Sequence, residues 1–212
     1  MVIHIISGDT MNEYSGELGF GGHVVVMNEE MMSGSTHQDI FSQEFINVRS
    51  KFLGIHADKY KKRIALPFLK MRQGDEVHLW FGKDMFCQMN MLTVLSYLEK
   101  LGIEKATFHE VFEDEMKEVS AKEVSTSGMT DVYKSVLINH EFCASSIEEL
   151  NKAQDLYLET VTLNGPLCDF IRENKDDSVL TLTIKMIKGY AQYGMGDVQS
   201  ARLITEIRSK QQ

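Results

Sequence analysis

Glu76-Val-His-Leu-Trp-Phe-Gly-Lys-Asp-Met-Phe-Cys-Gln-Met-Asn-Met-Leu92 changes its period part-way along. Glu76 to Phe81 is rich in β-formers and short enough for a strand. Gly82 interrupts it. From Met85 the apolar residues recur at three and four positions, with Met89, Leu92 and Leu95 on one stripe and Phe86, Leu98 and Leu101 widening it. That is the signature of an amphipathic helix. Asp84 is a suitable N-cap for it and Gly102 a suitable residue just past its end. A strand running through a glycine turn into a helix is the unit from which open α/β sheets are built, and such junctions are where those folds place ligands.

The flanking sequence repeats this unit. Val2 to Ile6 is a compact β-branched run closed by Gly8-Asp9-Thr10, and it reads as a first strand. A short helix is predicted over 11–18 with Asp9 or Thr10 as cap, stopped by Gly19-Phe-Gly-Gly22. His23 to Met27 is a second strand. Its unbroken Val24-Val-Val26 centre suits a strand covered on both faces, as in a parallel sheet. Phe41, Phe45, Val48 and Phe52 then mark a helix, and a second helix running from Asp58 toward Met71 should kink or break at Pro67. Ala106 to Phe112 follows as a fourth strand.

Beyond it, 113–130 is polar and charged, and a fifth strand is expected over Val132 to Ile138. Ser146-Ile-Glu-Glu149 has capping-box spacing and opens a helix to about Leu163. Ser178 to Tyr190 fits both periods, with length and helical neighbours favouring helix. Asp197 can cap a last helix. The reading is an α/β fold: a mostly parallel, Rossmann-like sheet of four or five strands flanked by helices, with an all-helical C-terminal part. It divides the chain into an α/β domain over 1–112, a polar connection with an extra strand over 113–145, and a helical region over 146–212.

Bulk properties narrow the function classes. The 212 residues carry 22 basic and 31 acidic side chains, a net charge of -9. Sequence-independent nucleic-acid binding needs clustered cations, so no nucleic-acid partner is expected. The one basic cluster, Lys59, Lys61, Lys62 and Arg63, reads as a solvated helix face. Cys87, Cys143 and Cys168 form no C-x-x-C pair and no disulfide framework, and no zinc or other metal site is predicted. The N-terminal apolar run lacks a basic lead, and no run approaches the ~20 residues of a membrane span. These features predict a soluble cytoplasmic protein with no membrane partner.

Three carboxylates fall just after three successive strands: Asp9, Glu29 and Asp84. In a parallel sheet those strand ends share one edge, so groups far apart in sequence can converge there. Such a set could act in acid–base chemistry or hold a cation. The competing reading is that Asp9 and Asp84 are helix caps. Arg49 could pair with one of the carboxylates or bind an anionic ligand. Cys87, near a helix N-terminus, is more simply a small buried packing residue than a nucleophile. His4 and His78 read as satisfied residues within the sheet, and Trp80 as packing.

These residues resemble a bacterial group, the domain-of-unknown-function family eighteen-thirty-five. The resemblance lies in Gly8-Asp9-Thr10 after the first strand, Glu29 ahead of Gly34-Ser35, Arg49, and Leu79-Trp-Phe-Gly-Lys-Asp-Met-Phe-Cys-Gln-Met-Asn90. Thr10 stands where the family has Ser, and Ser35 where it has Pro. The resemblance covers roughly residues 2 to 112. It implies that Asp9, Glu29, Arg49, Asp84 and Gln88 belong to one constellation, and it names no reaction and no cofactor. With Gly8 and Thr10 these form the candidate ligand-binding set. Two readings stay open. One is a binder of a small polar or phosphorylated ligand at the strand-end edge, with hydrolase or transferase chemistry as its enzymatic form. The other is a non-catalytic regulatory or interaction module whose acidic residues are caps and whose helical part supports a homodimer.

Overall fold

The computed structural model describes residues 1–14, 20–112 and 117–210. The predicted helix over 11–18 therefore lies partly outside the described residues. Strand β1 (Val2–Ser7) leads into α1 (Gly8–Tyr14), then β2 (His23–Met27). Helices α2 (Gln43–Phe52), α3 (Ala57–Tyr60) and α4 (Leu66–Leu69) follow, with a π-helical turn at Lys61–Ala65 between the last two. Next come β3 (Glu76–Phe81), the long helix α5 (Met85–Lys100), β4 (Lys105–Phe112) and β5 (Lys117–Ser125). The rest is helical: α6 (Met129–Tyr133), a π turn at Lys134–Ile138, α7 (Glu148–Thr162), α8 (Pro166–Glu173), α9 (Val179–Gly189) and α10 (Asp197–Ser209).

The five strands form one sheet in the order β2-β1-β3-β4-β5. The first four are parallel, and β5 runs antiparallel to β4. The expected architecture is present: a mostly parallel five-stranded sheet flanked by helices, with a helical C-terminal part. The fifth strand is not where the sequence placed it. Val132 to Ile138 is helical, and the strand is Lys117–Ser125, inside the stretch read as a polar connection. That strand is an edge, exposed along nearly its whole length apart from Val124, so it carries no apolar run to betray it. Residues 113–116 of that connection lie outside the described residues.

Alternation along the strands separates two layers. Ile3 and Ile5 of β1, Val77, Leu79 and Phe81 of β3, and Ala106 and Phe108 of β4 face the main core. His4, Ile6, His78, Trp80, His109 and Val111 take the opposite face, where Met11 of α1 and Phe20 pack. On the main face lies α5. Every residue from Cys87 to Leu98 is buried, because the helix is enclosed by the sheet on one side and by α6 and α7 on the other. Its end has the geometry expected of Gly102, which adopts φ 74° while Gly102 and Ile103 donate to the carbonyls of Glu99 and Leu98. At Pro67 the predicted interruption takes a specific form. The π turn precedes it, with the Leu66 amide donating to the Lys61 carbonyl, so the helix widens just ahead of the residue that cannot donate.

Among the described residues, no helix is long and apolar enough to cross a membrane.

Candidate functional site

The topology singles out one crevice. From the end of β1 the chain passes to β2 on one side; from the end of β3 it passes to β4 on the other. The connections therefore diverge between the carboxyl ends of β1 and β3, which is where open α/β sheets place ligands. One wall is Ser7-Gly8-Asp9-Thr10. Gly8 turns the chain with φ 73°, and Asp9 and Thr10 emerge exposed on the first turn of α1. Asp9 is not a cap. Its Oδ2 accepts from Asn28 Nδ2 at 2.6 Å and from Arg63 at 3.2 Å, an ion pair whose members are both more than half exposed.

The other wall is Gly82-Lys83-Asp84 and the first turn of α5. Asp84 is the N-cap: its Oδ1 accepts the Cys87 amide at 2.9 Å. Burial raises its pKa above the usual carboxylate range, and the hydrogen bonds from Cys87 only partly offset this. Cys87 Sγ lies 3.1 Å from Ser7 Oγ, joining the two walls at their base. Gln88 is fully buried and donates Nε2 to the Gly82 carbonyl at 2.7 Å. That bond fixes which end of the amide is nitrogen. The other end, Oε1, is buried and has no hydrogen-bond partner among the described residues. Gly194, at φ 63°, crosses so close to Asp84 that a Cβ there would overlap Oδ1.

Glu29 and Arg49 form a separate, closed unit. Both side chains are fully buried. Arg49 donates Nε to Glu29 Oε1 (3.0 Å) and Nη2 to Oε2 (2.6 Å), a two-pronged pair. Its remaining N–H groups go to the carbonyls of Glu30 (2.8 Å), Ser33 (2.7 Å) and Ser35 (3.1 Å). All five guanidinium donors are thus spent on the protein. Burial pulls the Arg49 pKa down, but the hydrogen bonds and charge of Glu29 outweigh it and hold the pKa above its ordinary value. Tyr60 donates its hydroxyl to Glu29 Oε1 at 2.6 Å, and burial with the adjacent carboxylate raises its pKa. Asn90 of α5 completes the unit. It donates to the Glu29 carbonyl at 2.7 Å and accepts from the Met31 amide at 3.0 Å.

This unit shapes the loop after β2, and the loop forms one wall of a cavity of about 480 Å³. Gly34 packs flat on the Phe52 ring, which also carries the guanidiniums of Arg49 and Arg202, each 4.8 Å from its centroid. Helix α10 closes the far side, where Gln199 and Arg202 both hold Glu30. Tyr157, whose pKa burial pushes up to about 12, lines the floor with its hydroxyl 3.1 Å from His140 Nδ1.

The second sheet face carries a row of imidazoles. Trp80 Nε1 donates to His4 Nδ1 at 3.0 Å, so His4 is neutral there, with Nε2–H donated to the Gly21 carbonyl. His78 Nε2 bonds Glu76 at 3.0 Å and its Nδ1 meets His109 Nε2 at 2.9 Å. His109 stacks on Trp80 with centroids 3.9 Å apart. Burial, above all, holds the pKa values of His4 and His109 below 6.5. Among the described residues, no group of three or more His, Cys, Asp or Glu is arranged to hold a metal ion.

The structure therefore splits the sequence-derived set. Gly8, Asp9 and Thr10 follow the carboxyl end of β1, and Asp84 and Gln88 follow that of β3, while Glu29 and Arg49 lock the β2 loop. Sequence reasoning missed Tyr60 and Asn90 as partners of Glu29, since Tyr60 reads as one residue of a helix stripe. It also missed Ser7 as the partner of Cys87, for which strand periodicity carries no signal. No protein-family model, curated protein or solved structure matches the chain.

Proposed function

We propose that the chain binds a small polar ligand bearing hydroxyl or phosphoryl groups in the crevice between the carboxyl ends of β1 and β3. The observation that carries this is Gln88 Oε1, a buried acceptor left unpaired among the described residues, beside the topological switch point. A buried acceptor without a donor costs about 1–3 kcal/mol, and a ligand hydroxyl would recover it. In this reading Gln88 accepts from the ligand, Asp9 and Thr10 contact it at the rim, and Arg63 supplies nearby positive charge. The Glu29–Arg49 unit holds the adjoining β2 loop in place without touching the ligand. Were the protein a hydrolase or transferase, Asp84 would be its acid–base group, because burial has already moved its pKa upward.

The test is a thermal-shift screen with nucleotides, sugar phosphates and divalent metals on wild type and Gln88→Leu. A ligand at about 100 times its Kd stabilises by ~2.7 kcal/mol, or roughly 5–10 °C for a chain of this size. Wild type should show that shift and Gln88→Leu should lose most of it. A shift of equal size in both proteins, or none with any class, counts against the crevice.

A second reading, a non-catalytic interaction module, is favoured by one observation: α9 leaves an apolar stripe exposed.

A further inference from the structure

Four side chains on the second sheet face form one continuous chain across three strands. Glu76 and His78 lie on β3, His109 on β4 and Glu118 on β5. Glu76 Oε1 stands 3.0 Å from His78 Nε2, and His78 Nδ1 stands 2.9 Å from His109 Nε2. His109 Nδ1 then stands 3.3 Å from Glu118 Oε1. The first two contacts are hydrogen bonds. The third is not: Nδ1 is buried and has no hydrogen-bond partner among the described residues. Water reaches the two ends of this chain far more than its middle, since the Glu76 and Glu118 side chains are 67% and 42% exposed and the two rings 19% and 11%.

A count of protons accounts for the open contact. Three contacts join the four groups, and each needs one proton between its heavy atoms. The ionised carboxylates bring none, and each neutral imidazole brings one. Two neutral rings therefore fill two contacts and leave a ring lone pair against a carboxylate in the third. If both rings carry the proton on Nε2, the empty contact is His109 to Glu118, where the unpartnered nitrogen stands. Reversing both tautomers only moves it to Glu76. One further proton fills all three contacts. His4, stacked on His78 with centroids 4.9 Å apart, has no room for it: Nδ1 accepts the Trp80 N–H and Nε2–H is given to Gly21. The other charges around the rings have partners of their own. On β5, Glu123 is held by Lys105 at 2.7 Å; on β4, Glu110, beside His109 in the strand, is held by Lys83 at 2.7 Å. Helix α1, packed on β1 and β2, brings Asp9, held by Arg63, and the exposed Glu13.

We propose that Glu76, His78, His109 and Glu118 form a one-proton site that fastens the Lys117 end of the edge strand β5 to the sheet. The proton comes from solvent and makes His78 an imidazolium, which donates Nε2–H to Glu76 and Nδ1–H to His109 Nε2. His109 stays neutral, with its proton on Nδ1 and donated to Glu118. Burial favours this distribution, because it disfavours charge on His109. Loss of the proton leaves the Glu118 carboxylate against a bare nitrogen. It loosens β5 beside the place where the β4–β5 register shifts, between Glu110 and Val111. An edge strand is paired on one side alone, so its other side does not make up the loss. The proposal is independent of the ligand crevice, which lies at the strand ends.

Amide hydrogen exchange followed by NMR on the full chain tests it, with protection corrected for intrinsic exchange and the Ser125 end of β5 as internal reference. As pH falls from about 8 to 5, the Lys117 end should gain protection roughly fivefold over the Ser125 end, the scale of a partly exposed ion pair. Ring nitrogen shifts should show one proton entering the His78–His109 pair over the same range, with both nitrogens of His78 protonated. Glu118→Gln separates this site from a general effect of surface charge. Its amide donates to His109 Nδ1 with no added proton, so the Lys117 end should stay protected at both pH limits. Glu118→Ala has nothing to fasten and should leave that end loose at both. Wild-type protection that does not vary with pH, a Glu118→Gln variant that still loosens as pH rises, or a His78 ring that takes up no proton would overturn the proposal.

Discussion

Replacing Arg49 by Met removes the guanidinium and keeps most of the apolar volume. Two kinds of loss follow, and the structure ranks them. The carbonyls of Ser33 and Ser35 lose a donor, but both residues lie on a partly exposed loop where water can replace it. The Glu30 carbonyl still accepts from the Ser33 amide. The Glu29 carboxylate is different. It has no solvent contact and, among the described residues, keeps only the Tyr60 hydroxyl and the Glu30 amide as donors. Leaving such a charge uncompensated costs about 3–5 kcal/mol, or roughly 6–20 °C in Tm for a chain of this length. Urea unfolding followed by circular dichroism measures it directly. The triple variant Glu29→Leu, Tyr60→Phe, Arg49→Met removes the stranded groups together and should recover more than half of the loss, as expected when a buried ion pair is replaced by apolar residues. A loss below about 1 kcal/mol in Arg49→Met, or a triple variant no better than the single one, would refute the argument that the buried carboxylate dominates.

Three further outcomes follow from the site geometry. Asp84 has a raised folded-state pKa, so its contribution is fully present at low pH and is lost as pH rises through that pKa. Wild type should therefore gain on Asp84→Asn, which retains the cap, as pH is lowered from 7 toward 4 in parallel urea titrations. For His4 and His109 the folded pKa is depressed, so stability is present above 6.5 and lost as pH falls through the folded values. Trp80 is the single tryptophan and touches both rings, so its fluorescence should titrate below pH 6.5 and the His109→Phe variant should flatten much of that change. Gly194→Ala should cost about 1–3 kcal/mol, because φ 63° strains an alanine and its Cβ would press on the Asp84 carboxylate; a neutral result would show that the 191–196 segment moves freely off the N-terminus of α5.

What the sequence disclosed depended on how strongly each element was patterned. The strands ending at Ser7, Met27, Phe81 and Phe112 are apolar runs closed by turns or polar residues, and α5 has both a cap and a terminating glycine, so each was legible. Strand β5 was not, because an edge strand of alternating Lys, Glu and Ser resembles a solvated connection. Val132, Tyr133, Val136 and Leu137 were misread as a strand; their spacing of one, three and one is a helical face, and it is buried where α6 packs against α5. At the site, the cap role of Asp84 was legible from its position before a periodic stretch. Separating Glu29 and Arg49 from the crevice was not, since that depends on where the π turn at Lys61–Ala65 delivers Tyr60 and on which face of α5 presents Asn90. Both are matters of tertiary packing with no local signature.

The central claim is the location of the ligand, and amide chemical-shift mapping by NMR tests it most directly. Using a compound found in the thermal-shift screen, the account expects the largest perturbations at Gly8, Thr10, Gly82, Cys87 and the Gln88 side-chain amide. Perturbations centred instead on Gly34, Phe52, Tyr157 and Arg202 would move the site to the cavity under α10 and contradict the assignment to the β1/β3 crevice.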